Sequence, residues 1–219
     1  MQLVKPSYQI ESVFSGDAML RAIEEYGRVC YKSEERITPD SAEKFVRMIV
    51  SRGHHSVLEH ASISVRFIVD RGVTHELVRH RLASFSQEST RYCNYSKGGQ
   101  IAFVIPPWVK IEPGHYCGKG CCADWPKFDN AQDVTWFFMC RGAEVSYLAL
   151  CDNGWSPQQA RGVLPNSLKT EIVVTANLRE WRHIFDVRCS TAAHPQMQEV
   201  MVPLREELRR RIPVVFDEA

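Results

Sequence analysis

The chain has 219 residues, enough for one domain with a substantial core. Hydrophobic residues make up 44% and charged residues 24%, which is ordinary for a soluble globular protein. The formal net charge of +1 excludes a global positive field that would draw the protein onto DNA or an anionic membrane. Any strong positive charge must therefore be local, which favours a small anionic ligand over a long polyanion.

The beginning of the chain, MQLVKPSYQIESVF, lacks the basic start and continuous apolar core of a secretory signal. No apolar run approaches the roughly 20 residues that a transmembrane helix needs. Without a secretory signal, the eight cysteines are predicted to be reduced thiols in a cytoplasmic protein.

Two helices are predicted first. Ser15 and Asp17 can cap a helix that runs to about Cys30. The sequence Pro-Asp-Ser at 39–41 opens a second helix, and Gly53 is its predicted stop.

Strict alternation over residues 61–67 predicts a strand with one wet face. Gly72 is expected to break this strand. Thr74 can then cap a helix that runs into Arg-His-Arg at 79–81.

Residues 98–130 contain prolines and paired glycines, which predict an irregular excursion with one short strand at 101–105. A long, mostly apolar helix is predicted over 130–151. Ser-Pro-Gln-Gln at 156–159 is a capping box with proline at the first helical position, so it predicts a helix carrying Arg161.

Residues 170–176 predict a second good strand, which leads directly into a helix that Asn177 can cap, with Glu180 at the reciprocal capping position. A last helix is predicted over 195–211, with a kink at Pro203. This order predicts an α+β fold, with a single helix-rich domain over 1–219 around a small, mostly antiparallel sheet. The buried stripe of the helix after Asn177 is predicted to be Leu178, Trp181, Ile184 and Phe185.

Positive charge and hydroxyl groups are concentrated in RHRLASFSQESTR, residues 79–91, where only Glu88 is acidic. Arginine offers a planar fork suited to phosphate or carboxylate, and helix N-termini add free N–H groups. The start of the helix at 177–188 is similarly basic. These two segments predict a site for an anionic ligand, whose identity the pattern alone leaves open.

The residues at this point resemble the flavin-dependent thymidylate synthase family. Arg79-His80-Arg81, followed after seven residues by Ser89, is similar to the R-H-R-x7-S signature of that family. Four further segments resemble family motifs in the same order, namely GHHSVLEH at 53–60, RGVLPN at 161–166, NLREWRH with Arg188 at 177–188, and HPQM at 194–197. The resemblance spans nearly the whole chain and is weakest at 98–130.

The resemblance implies a homotetramer in which several subunits build each active site around FAD. It implies conversion of dUMP to dTMP, with 5,10-methylenetetrahydrofolate as carbon donor and NADPH as the reductant of the flavin. No nucleic-acid or membrane partner is expected.

The resemblance also implies roles for individual residues. The FAD-binding residues would be His54, Ser56, Arg79, His80, Arg81, Gln87, Asn177, Leu178, Arg179 and His183. The dUMP-binding residues would be Glu76, Leu77, Val78, Arg79, Gln87, Glu88, Ser89, Thr90, Arg91, Arg161 and Arg188. Arg188 would be catalytic, polarising the uracil ring around N3.

The inventory of side chains agrees with this chemistry. The sequence contains no Pro-Cys pair of the kind that supplies the nucleophile in the other thymidylate synthase family. An arginine against the pyrimidine can stabilise developing negative charge without a covalent step. Ser89 has no evident general base beside it in sequence, so we assign it to phosphate binding.

Three positions depart from common family patterns: Glu76, Gln87 and His183. A carboxylate at Glu76 would repel a phosphate, so we expect it to point elsewhere or to pair with an arginine.

A metal site built from His115, Cys117, Cys121 and Cys122 is not favoured, because adjacent cysteines rarely ligate one ion together. Two other functions remain open from sequence: a nucleic-acid-binding module that uses 79–91, and a flavoprotein with a different nucleotide substrate.

Overall fold

The structure is a computed structural model that describes residues 1–97, 101–116 and 125–217. Its strands are β1 (Gln2–Val4), β2 (Ser7–Ile10), β3 (Ser62–Asp70), β4 (Ala83–Gln87), β5 (Ala102–Val104), β6 (Gly114–His115) and β7 (Lys169–Asn177). Its helices are α1 (Gly16–Val29), α2 (Ser41–Ser51), α3 (Arg71–Leu77), α4 (Ala131–Asp152), α5 (Pro157–Ala160), α6 (Leu178–Arg188), α7 (Pro195–Arg211) and α8 (Pro213–Phe216). Short 3-10 turns lie at Glu34–Arg36, His55–His60 and Arg161–Val163.

The strands form two sheets, with the orders β5-β1-β6 and β2-β3-β7-β4. In the first sheet β1 runs parallel to β5 and antiparallel to β6. The helix-rich α+β class predicted from the sequence is confirmed, with one parallel pairing in the smaller sheet. Within the described ranges, each helix is too short or too polar to cross a lipid bilayer.

The described chain divides into two compact units. The first unit comprises Met1–Ser7, Phe67–Arg79 and Ser86–Ile172. Its core is a cluster of apolar side chains from β1, β5, α4 and the segments that follow them, including Leu3, Phe103, Phe137, Tyr147 and Leu168. The single-domain organisation over 1–219 stays a prediction.

The second unit comprises Tyr8–Arg66, His80–Phe85 and Val173–Ala219. Its largest fully buried side chain is Trp181, which stacks on Phe185 with ring centroids 5.6 Å apart. The indole Nε1 donates a hydrogen bond to the Ile63 carbonyl at 3.0 Å, which joins α6 to β3 within this unit. Because the whole predicted stripe of α6 is buried, that prediction is confirmed.

Several predicted element boundaries are also confirmed. Ser15 caps α1, Asn177 caps α6, and Ser156 forms the capping box with Gln159. Helices α4 and α7 begin and end within a residue or two of the predicted limits. Helix α5 ends at Ala160, so Arg161 forms its C-cap and starts a 3-10 turn.

The predicted start and end of the third helix are wrong. Strand β3 continues to Asp70, and the Asp70 carboxylate caps α3 by accepting the Val73 N–H at 2.7 Å. Thr74 therefore lies inside the helix and is buried. Helix α3 ends at Leu77, so the Arg-His-Arg segment at 79–81 lies in a turn before β4, beyond the C-terminal end of α3.

Candidate functional site

A cluster of four polar residues lies in the second unit, where the 79–81 turn meets α6. This cluster, which we call the His80 cluster, consists of His80, Glu180, His183 and Arg188. The Nε–H of Arg188 donates to His80 Nε2 at 2.9 Å. On the other side of the imidazole, His80 Nδ1 lies 3.4 Å from a Glu180 carboxylate oxygen. The His183 ring meets the His80 ring edge-on, with centroids 5.6 Å apart.

These contacts determine the protonation of His80. Because Arg188 donates to Nε2, that nitrogen is an acceptor and the ring proton lies on Nδ1, facing Glu180. Burial and then the charges of Arg188 and His183 lower the pKa of His80 to about 4. His80 is therefore a neutral imidazole at neutral pH.

The lowered pKa predicts a stability loss in mild acid. Between about 4 and the ordinary value of 6.5, the unfolded chain binds more protons at this position than the folded chain does. The contribution of His80 is fully present above pH 6.5 and is lost as pH falls towards 4. Urea unfolding at pH 7.5 and 4.5 should show a larger drop in unfolding free energy for the wild type than for His80→Asn. Equal drops would contradict the assignment.

The same cluster could in principle hold a metal ion, since single ligand atoms of His80, Glu180 and His183 lie within 4.8 Å of one another. Both ring nitrogens of His80 already have partners, however. Coordination through Nδ1 would move the proton to Nε2, where it would face the Arg188 N–H. The guanidinium also places a positive charge beside the position of the ion, which disfavours binding.

The start of α6 is attached to the segment at 54–63 within the second unit. Arg179 pairs with Glu59 at 2.6 Å, and the Leu178 N–H donates to the Ala61 carbonyl at 2.9 Å. Two motifs that resembled the family, at 53–60 and 177–188, are thereby brought together. The Leu178 side chain is fully buried in the core.

The chain reverses at Gly53, which has φ 72° after the end of α2. This left-handed conformation favours glycine. His54 follows this glycine, and the His54 N–H donates to the Ile49 carbonyl at 2.9 Å. His54 and Ser56 are both exposed, so both can reach a ligand.

The residues assigned to FAD therefore fall largely in the second unit. His54, Ser56, His80, Arg81, Asn177, Leu178, Arg179 and His183 belong to it, whereas Arg79 and Gln87 belong to the first unit. Arg79 and Arg81 are exposed.

Most of the residues assigned to dUMP lie in the first unit. The Arg161 guanidinium donates to the Thr90 hydroxyl at 3.3 Å, which joins the RGVLPN motif to the end of the 79–91 segment. The Ser89 Oγ accepts the Arg91 N–H at 3.3 Å, and the exposed Arg91 lies over the Tyr92 ring. Phosphate binding by Arg161, Ser89 and Thr90 stays a prediction.

Glu88 and Gln87 have partners inside the first unit. The Glu88 carboxylate accepts from the Tyr95 hydroxyl at 2.6 Å and from Lys169 at 3.0 Å. Burial and the neighbouring Glu88 raise the pKa of Tyr95 far above its usual range. The Gln87 amide donates to Thr74 at 2.9 Å, so these two side chains support the segment that bears Ser89 and Thr90.

Three consecutive residues assigned to dUMP binding lie at the C-terminal end of α3. Glu76 accepts the Arg79 N–H through its backbone carbonyl at 3.3 Å, Leu77 is buried, and Val78 is exposed. Whether the Glu76 carboxylate points away from a phosphate stays a prediction.

The predicted meeting of Arg79 and Arg161 with Arg179 and Arg188 also stays a prediction, because the first pair belongs to one unit and the second pair to the other. The cysteines considered as metal ligands at 117, 121 and 122 lie outside the described residues.

Sequence reasoning missed the roles of Glu59, Glu180 and Lys169. Glu59 could have been found, because it is the acidic residue of the 53–60 motif and Arg179 needs a partner. Glu180 was interpreted as a local capping residue. The partner of Lys169, Glu88, is 81 positions away, and no local signal indicates such a pair.

Comparisons with known proteins agree with these motifs. The family described as thymidylate synthase complementing protein matches residues 15–214. The flavin-dependent thymidylate synthase of Geobacter sulfurreducens is 33% identical over 199 residues, covering 88% of this chain and 78% of that protein. The flavin-dependent thymidylate synthase of Mycolicibacterium gilvum is 33% identical over 219 residues, and the match covers 95% of this chain and 83% of that protein.

A similar fold is found in a crystal structure of a UMP/dUMP methylase, PolB from Streptomyces cacaoi, bound with 5-Br dUMP. The TM-score is 0.76 at 23% identity, covering 99% of this chain and 96% of that one. The fold is shared at this level. These sequence matches cover most of this chain and most of each relative. They establish that this chain belongs to the flavin-dependent thymidylate synthase family.

Proposed function

We propose that the protein catalyses the reductive methylation of dUMP to dTMP, with FAD as its bound cofactor. The carbon comes from 5,10-methylenetetrahydrofolate, and NADPH reduces the flavin. One observation supports this most strongly: the Arg188 guanidinium is hydrogen-bonded to the central histidine of the Arg-His-Arg signature. The residue proposed to act on the pyrimidine thus lies against the motif proposed to hold the cofactor.

The donor set of the second unit fits a flavin dinucleotide. Arg179, half-exposed in the first turn of α6, adds a guanidinium to the positive end of the helix. Exposed His54, Ser56 and Arg81 add further donors within the same unit. When bound, FAD supplies the hydride that reduces the transferred carbon to a methyl group.

The first unit contributes donors for the nucleotide phosphate. Arg161 and Thr90 are joined, and Ser89 lies in the turn immediately before Thr90. These groups would neutralise the phosphate of dUMP and hold it in one orientation. Arg188 would stabilise the electron-rich form of the uracil ring whose C5 attacks the donated carbon.

A cysteine nucleophile is not part of this proposal. Cys189 directly follows Arg188, but burial raises the pKa of its thiol to about 11. Burial also raises the pKa of the Cys140 thiol, to about 12. A thiol that remains protonated is a poor nucleophile, so these two cysteines fit a mechanism without a covalent cysteine step.

The proposed homotetramer is supported by α4. This helix buries Phe137, Cys140 and Tyr147 on one side, yet it also exposes Phe138, Met139 and Val145. A helix that is apolar on several sides is usually covered by another element or another subunit. A solution mass of four chains by light scattering would support the assembly, and a monomer would contradict it.

The test uses the purified protein with its flavin. The proposal expects a yellow protein that forms dTMP only when dUMP, methylenetetrahydrofolate and NADPH are all present, with one NADPH consumed per dTMP. Parallel reactions with UMP test the alternative of a flavoprotein with another nucleotide substrate. Methylation of UMP without methylation of dUMP, or a protein that binds no flavin, would refute the proposal.

Ser89→Ala provides a narrower prediction about the phosphate site. Removal of one hydroxyl donor should weaken dUMP binding by about 10-fold, the usual effect of losing a hydrogen bond to a charged group. Turnover at saturating dUMP should persist. The measurement is the titration of the flavin spectrum with dUMP, alongside dTMP formation at high dUMP. Complete loss of turnover at saturating dUMP would instead indicate that Ser89 is a nucleophile.

A further inference from the structure

We infer that Glu180 is a positioning residue for the methylation: it holds His80, and through His80 it orients the Arg188 guanidinium. This inference rests on the proposed function of Arg188. Glu180 was not among the residues implied by the family resemblance, and its helical position alone would make it a capping residue.

Glu180, His80 and Arg188 contact one another in series within the His80 cluster. The Glu180 oxygen lies 3.4 Å from His80 Nδ1, and His80 Nε2 accepts the Arg188 Nε–H at 2.9 Å. An acceptor at Nδ1 selects the tautomer that leaves Nε2 free to accept from Arg188. With the opposite tautomer, two N–H groups would point at each other and the Arg188 contact would be lost.

Burial makes this arrangement rigid. Glu180 and His80 are each only 6% exposed, and the cluster belongs to one compact unit. A buried carboxylate is costly unless it is compensated by a donor, so Glu180 and the Nδ1–H depend on each other. His183, packed edge-on, restricts rotation of the His80 ring. Arg188 is therefore supported by a fixed acceptor and loses less freedom when it engages a substrate.

Glu180 also contributes a local function to its helix. Its N–H is the one that the Asn177 side chain caps, at 2.8 Å, and a negative charge in the first turn of a helix is favourable. Substitution of Glu180 could therefore lower stability without any effect through His80. The experiment must separate these two contributions.

The variants are Glu180→Leu, Glu180→Gln and Asp186→Leu. Leucine removes the acceptor at similar volume, whereas glutamine keeps a carbonyl oxygen that can accept the Nδ1–H. Asp186→Leu is the matched control, since Asp186 is an exposed carboxylate on the same helix. Each variant is assayed as the FAD-loaded protein for kcat, for the Kd of dUMP, and for flavin content.

We expect Glu180→Leu to lower kcat by roughly 10- to 100-fold, by analogy with the loss of carboxylates that orient metal-ligating histidines. The flavin content should change little, and the Kd for dUMP should rise less than kcat falls, because Arg188 is one of several proposed dUMP contacts. Glu180→Gln should recover most of the activity, and Asp186→Leu should match the wild type. A purely structural role would instead reduce flavin content and folded fraction, and glutamine would not restore kcat selectively.

A double variant tests the route through His80. In a His80→Asn background, Glu180→Leu should cause no further loss of kcat, because residues acting in series are not additive. A full additional loss would overturn the inference, as would Glu180→Leu turnover equal to that of Asp186→Leu.

Crystal structures of the wild type and Glu180→Leu with FAD and dUMP separate this inference from the proposed function. An unmoved Arg188 guanidinium in the variant would overturn the inference, even if the wild type makes dTMP. A wild type that forms no dTMP would refute the proposed function, while a displaced Arg188 in the variant would still support the positional link.

Discussion

Arg188→Ala is expected to abolish thymidylate formation, with a loss on the order of 10³-fold or more in kcat, while the protein still binds FAD. Removal of one preorganised group that stabilises developing charge commonly costs 10² to 10³ in rate, and Arg188 would act directly on the ring. FAD should remain bound because its proposed contacts, including Arg179 in the first turn of α6, are untouched. The measurements are dTMP formation, flavin content and dUMP binding.

A matched control and an intermediate variant sharpen this expectation. Arg47→Ala removes an exposed arginine that pairs with Glu43 on α2, so it should leave turnover unchanged. Arg188→Lys keeps the charge but removes the planar fork and the Nε–H that reaches His80, so a partial loss is expected. Release of tritium from C5-labelled dUMP at the wild-type rate in Arg188→Ala would contradict the proposed role.

The sequence predicted α6 well because two independent local signals agree there. Asn177 supplies the cap, and the spacing of Leu178, Trp181, Ile184 and Phe185 defines one buried face. Both signals act within a few residues, so no knowledge of the rest of the fold is needed. The position of Arg179 at the start of this helix follows directly.

The third helix shows where such reasoning fails. Asp70 and Thr74 are both plausible capping residues, and the prediction chose Thr74 because Gly72 was taken as a strand breaker. The structure instead has Asp70 bonded to the Val73 N–H, while the Thr74 hydroxyl donates to the Arg71 carbonyl. Because α3 begins about one helical turn earlier than predicted and ends at Leu77, the Arg-His-Arg signature lies in a turn after the helix.

The sequence nominates candidate site residues by their type, but it could not indicate their partners. His80 and Arg188 are 108 positions apart, and their contact depends on how β3, β7 and the adjoining helices pack. Glu180 has a sufficient local explanation as a capping residue. Only the folded arrangement reveals that its carboxylate faces His80.

Trp181→Ala is expected to lower the free energy of unfolding by about 3–5 kcal/mol, the usual cost of truncating a fully buried large aromatic side chain. The indole is completely buried and stacks on Phe185. Its loss also leaves the buried Ile63 carbonyl without its donor. Guanidinium unfolding at fixed protomer concentration provides the measurement, because the proposed assembly would make apparent stability depend on concentration.

Two further variants divide this effect into its causes. Trp181→Phe keeps most of the volume and removes the Nε1 donor, so it should cost about 1–3 kcal/mol, the penalty for an unpaired buried polar group. Val187→Ala truncates an exposed side chain on the same helix and should stay within about 0.5 kcal/mol of the wild type. A loss below about 1 kcal/mol in Trp181→Ala would mean that α6 does not depend on this anchor. Since α6 bears Arg179, Glu180 and Arg188, that result would also remove the structural basis for a fixed His80 cluster.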